Sequence, residues 1–91
     1  MGPLQAITTC SQALRIDEAH PKALFRRGVA YLETGECTLA RDDLSRALAV
    51  QQQAGKTAEV NAIKTELSRV AQAVAQAREL ERAQYANMFR K

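Results

Sequence analysis

Tryptophan is absent from this sequence, and aromatics of any kind make up 4% of its 91 residues. A core without large rings is fine-grained, which suits close helix–helix approach and not a β-sandwich. Cysteine occurs twice, at Cys10 and Cys37. A small secreted domain carries about four or more, and no signal-peptide core is present, so a reducing, cytoplasmic setting is expected. Two isolated cysteines and a single histidine, His20, assemble no metal site, and there is no phosphate-binding glycine loop. No metal or cofactor is therefore expected. No apolar run approaches the ~18–20 residues that a membrane span needs. The formal charge of +3 is mild, with neither a dense basic stripe nor aromatics interleaved with Lys and Arg, so no nucleic-acid partner is expected.

What is present is a helix-forming mixture: Ala, Gln, Glu, Arg and Leu dominate. Chains of this size bury only about 60–70% of the surface they expose when unfolded, so one small domain of marginal stability is expected. Leu4, Ile7, Cys10, Leu14 and Ile16 form an apolar stripe at helical spacing, predicting a helix over 4–17 with Pro3 at its first position. Asp17 to His20 is a polar connection. Pro21 starts a second helix that runs to about Thr34, with Gly35 as its stop. Thr38 reads as the N-cap of a third helix, whose positive end favours Asp42 and Asp43. That helix fades through Gln51–Gln53 to Gly55. From Lys56 onward there is neither Gly nor Pro, and the chain can form one helix of about 50 Å.

Shifted by thirty-four residues, the chain overlays itself. Ala6 falls on Ala40, Cys10 on Leu44, Ser11 on Ser45, Ala13 on Ala47 and Leu14 on Leu48; further on, Lys22 falls on Lys56, Gly28 on Ala62 and Val29 on Ile63. The expectation is one domain, 1–91, in which 4–18 is the second helix of a truncated repeat. Residues 21–54 are one complete repeat, and 56–90 an extended C-terminal helix. The fold class is all-α, a stack of helical hairpins of about one and a half repeats, closed by that long helix. Leu24, Gly28, Tyr31, Ala40, Leu44 and Ala47 are the packing positions, with minimal side chains where helix axes approach.

Those positions, with Gly35, occupy the spacing of the tetratricopeptide (TPR) pattern. The segment Lys22-Ala23-Leu24-Phe25-Arg26-Arg27-Gly28 resembles the last repeat of the large FKBP-type and cyclophilin-type immunophilin co-chaperones. Leu80 through Lys91 is similar to the end of their C-terminal helix. The proline that usually closes each unit is replaced by Glu18 and Gln52. The resemblance implies a protein-interaction module, with the peptidyl-prolyl cis-trans isomerase domain and the first one and a half repeats of such proteins lying outside this chain. No catalytic residue is expected here. His20 sits in a turn, and the adjacent Asp42 and Asp43 face different ways, as helix-start charges rather than an acid/base pair.

Lys22 and Arg26, at i and i+4, share one helix face. Two cations so placed repel unless an anion lies between them, and a carboxylate would meet both; the alternative is a solvated basic face. By the resemblance, these two positions belong to a clamp for the acidic Glu-Glu-Val-Asp tail of heat-shock protein 90. Phe25, Val29 and Leu32 either line the same groove or form core. Arg27 points about 100° away from Arg26 and is expected to contact a neighbouring helix. The long helix reads as a cap on helices 21–34 and 38–52, its second half projecting outward, or as a coiled coil pairing two chains through Val60, Ile63, Leu67, Val70, Val74 and Ala77. An incomplete stack exposes an apolar face, so a homo-oligomer is expected. Residues 78–91, basic and partly amphipathic, are a candidate calmodulin-binding segment, as the resemblance also implies, against the alternative of a solvated helix end.

Overall fold

The computed structural model describes residues 2–88. It contains α1 (Pro3–Ile16), α2 (Pro21–Glu33), α3 (Cys37–Gln53) and α4 (Thr57–Met88), and no strand among the described residues. Each helix packs on the next in chain order, α1 on α2, α2 on α3 and α3 on α4, with a lighter contact between α2 and α4. The result is an all-α, TPR-like stack of helical hairpins measuring 56 × 27 × 19 Å, closed by a long last helix.

The helix ends follow from local chemistry. Prolines occupy the first position of α1 and of α2, where a missing N–H costs nothing. His20 caps α2, its Nδ1 accepting from the Ala23 N–H at 3.1 Å. At the close of α2 the Glu36 N–H donates to the Tyr31 carbonyl at 2.8 Å and the Gly35 N–H to that of Leu32 at 3.2 Å. At the close of α3 the same pair of bonds joins Lys56 to Gln51 and Gly55 to Gln52. This closure needs a left-handed residue, and Gly35 and Gly55 supply it at φ +83° and +70°.

Two expectations are corrected. Thr38 is not the N-cap of α3; Glu36 is, without a side-chain bond, because the closure of α2 at Gly35 lets the next helix start two residues later. Ile16 does not belong to the apolar stripe of α1. It stands two residues past the buried Leu14, about 200° round the helix from it, and is 90% exposed.

The core runs through the stack as Cys10 and Leu14 of α1, Ala23 and Leu24 of α2, Ala40, Leu44 and Ala47 of α3, and Ile63 and Val70 of α4. Leu24 and Leu44 are fully buried, each stabilising the fold by roughly 2 kcal/mol relative to exposure. Gly28 marks the closest approach of α2 and α3: a Cβ there would stand 2.7 Å from Leu44 Cγ and 3.3 Å from the Ala40 carbonyl oxygen. α4 is buried only along its first half, where Ile63 and Val70 face α3 with Leu67 and Val74 beside them. From Ala75 to Met88 every residue is exposed. The first part of α4 caps the stack and its second part projects, as the closing-helix reading expects. Phe89, Arg90 and Lys91, which end the calmodulin candidate, lie outside the described residues.

Candidate functional site

α2 carries two basic faces of opposite character. On the inner face, Arg27 donates from Nε to Asp43 Oδ2 at 2.6 Å and from Nη2 to Asp43 Oδ1 at 2.8 Å, a two-pronged pair between α2 and α3. Its Nη1 donates to Ser11 Oγ of α1 at 3.2 Å, and its guanidinium lies over the Tyr31 ring at 5.7 Å. Asp43 is 4% exposed, so its charge depends on this arginine for its partners. The Asp43 hydrogen bond, outweighing desolvation, pushes the Arg27 pKa above its ordinary value. On the alkaline side the pair's contribution is therefore lost as pH climbs through that raised value. This cluster ties three helices together. It is a structural device: Nε, Nη1 and Nη2 each donate to a side chain of the stack.

The outer face is different. Lys22 and Arg26 are exposed, and neither makes a hydrogen bond or ion pair among the described residues. Each borders a cleft that Phe25 also lines. Lys22 borders a groove of about 400 Å³ between α2 and α4, lined also by Pro21, Phe25, Lys56 and Ile63. Arg26 borders a second groove of about 260 Å³ between α1 and α2, with Pro3, Phe25, Val29, Ala30 and one carboxylate, Glu33. Phe25 is the wall the two grooves share. Of the candidate groove residues, Phe25 and Val29 therefore line clefts next to a cation, whereas Leu32 packs half-buried against the core. The packing positions Leu24, Gly28, Ala40, Leu44 and Ala47 are buried, and Tyr31 is half-buried beneath Arg27.

Two participants escaped the sequence reading. Asp43 looked like a helix-start charge, and only the close α2–α3 approach at Gly28 brings it to Arg27, sixteen residues away in the chain. Lys56 drew notice as the repeat partner of Lys22, but its place on the same groove needs the parallel course of α2 and α4. The thirty-four-residue shift held that signal. Among the described residues no cluster of His, Cys, Asp or Glu is arranged to hold a metal ion. No helix is long and apolar enough to cross a membrane.

Comparison with known proteins finds relatives among the peptidyl-prolyl cis-trans isomerases. The Homo sapiens peptidyl-prolyl cis-trans isomerase FKBP4 is 36% identical over 84 residues, which cover 92% of this chain and 17% of that protein. The Bos taurus protein of the same name matches to the same extent. The Arabidopsis thaliana peptidyl-prolyl cis-trans isomerase FKBP42 is 49% identical over 43 residues, 47% of this chain and 12% of that protein. No protein-family model and no solved structure matches the chain. The likeness is thus to a small part of much longer FKBP-type immunophilins, and the isomerase activity in their names is said of those proteins.

Proposed function

We propose that this relative of FKBP4 and FKBP42 is a cytoplasmic protein-interaction module of the TPR type, serving an immunophilin-like co-chaperone. Its ligand is the acidic C-terminal tail of heat-shock protein 90, held by Lys22 and Arg26. The observation that carries this reading is the contrast on α2. Arg27 is bonded to Asp43 and Ser11 and lies over Tyr31, while Lys22 and Arg26 stand exposed and, among the described residues, form no ion pair, although Glu59 and Glu33 lie on the linings of their clefts. Two unpartnered cations about one helical turn apart favour a ligand with carboxylates of matching spacing. Phe25, which lines both clefts, gives an apolar side chain of that ligand a surface to lie on.

Two cations at an exposed site hold a short peptide weakly and in a salt-dependent way. Titration calorimetry of the 91-residue chain with a Glu-Glu-Val-Asp peptide tests this. Micromolar binding that weakens as salt is raised is the expected result. No heat at millimolar peptide and low salt contradicts the reading, and submicromolar binding shows that two cations are too few to account for it.

The bare distal half of α4 favours a second contact. Leu80 and Met88 are 66% and 77% exposed on it, which suits either a second copy of the chain or calmodulin. Light scattering at micromolar concentration distinguishes dimer from monomer, and a calcium-dependent gel shift reports calmodulin.

A further inference from the structure

The groove between α2 and α4 sets a second cation, Lys56, beside Lys22. Lys22 and Lys56 sit on its rim, at positions that the thirty-four-residue repeat makes equivalent. Neither lysine is paired among the described residues. Both stand near the starts of their helices, and α2 and α4 run the same way, so the positive ends of the two helices reinforce the lysines. The floor is apolar: Phe25 is half-buried, Ile63 is buried, and Pro21 and Ala62 complete the wall. Glu59 is the one carboxylate on the lining. A groove with an apolar floor and a rim of two cations matches a peptide whose apolar side chain is flanked by carboxylates.

We infer that the α2–α4 groove is a second subsite for the acidic peptide, in which Lys56 is a binding cation and an apolar side chain lies against Phe25, Ala62 and Ile63. This rests on the peptide-binding reading of Lys22 and Arg26 and extends it across Phe25. Lys22 is shared, Arg26 serves the α1 side, and Lys56 serves the α4 side. Glu59 opposes the ligand's charge, so its removal strengthens binding. That sign separates the subsite from a merely solvated rim.

The test is a set of single variants titrated with the Glu-Glu-Val-Asp peptide. Lys56→Ala lowers affinity up to about fivefold, the range of an exposed ion pair. Ala62→Phe, at an exposed helix position, fills the groove and lowers affinity about tenfold, with its helical circular dichroism unchanged. Glu59→Gln raises affinity about twofold. Amide shift mapping of the wild-type chain places peptide-induced changes at Lys56, Glu59 and Ile63 as well as along α2. If Arg26→Ala abolishes binding while the Lys56, Ala62 and Glu59 variants bind as wild type, the subsite is overturned and the Lys22/Arg26 reading stands. If the wild-type chain does not bind the peptide, both fall together.

Discussion

Arg26 and Arg27 are neighbours in sequence and opposites in role. Arg27 faces into the stack, where α2 and α3 approach closely enough at Gly28 to leave no room for a Cβ. There it neutralises a buried carboxylate and reaches back to α1. Arg26 faces out, toward a shallow cleft, and is bonded to nothing among the described residues. The residue type is the same; the rotation of about 100° per helical position decides which one builds the fold and which is left for a partner. An arginine within reach of a buried acid is spent on stability, and its exposed neighbour is the better candidate for recognition.

The comparison can be broken most severely at the inner face. Gly28→Leu drives a branched side chain into Leu44 at the tightest point of the stack, and loss of the cooperative thermal transition is expected. A retained melting temperature would falsify the close-approach account. Asp43→Ala leaves Arg27 beside an emptied site and is expected to cost about 3 kcal/mol of unfolding free energy, measured by urea denaturation. A loss under about 1 kcal/mol would place this pair with exposed salt bridges instead.

The outer face responds in the other currency. Arg26→Ala is expected to leave stability within about 0.5 kcal/mol of wild type while weakening the acidic peptide at least severalfold; a lowered Tm with unchanged binding would exchange the roles of the two arginines. The smallest effect belongs to α4. Arg82 pairs with Glu79 at 3.5 Å, and both side chains are over 70% exposed. Arg82→Ala is expected to change stability by less than about 0.5 kcal/mol, against the loss at Asp43, and denaturant midpoints measured together give that ratio directly.

The helices were legible in the sequence because their signals are local. Prolines at the first positions of α1 and α2, Gly35 and Gly55 at the closures, and apolar spacing in α4 all act within a few residues. The all-α stack with its closing helix was read from the repeat shift, and the exposed Lys22/Arg26 face from i, i+4 geometry. What was not legible depends on contacts between helices. Asp43 becomes a buried partner only after Gly28 has set the α2–α3 distance. Thr38 lost the cap because the closure at Gly35 handed the helix start to Glu36. Phe25 was left open between groove and core, and the structure gives it a share of both.

The direct test of the division of labour on α2 is to titrate the Glu-Glu-Val-Asp peptide into Arg26→Ala and Arg27→Lys side by side, with thermal melts on the same samples. Arg27→Lys keeps the charge and loses the two-pronged geometry toward Asp43. The account predicts that Arg26→Ala melts as wild type and loses the peptide, while Arg27→Lys melts lower and, at a temperature where it remains folded, binds as wild type. Equal loss of binding in both, or undiminished binding by Arg26→Ala, contradicts it.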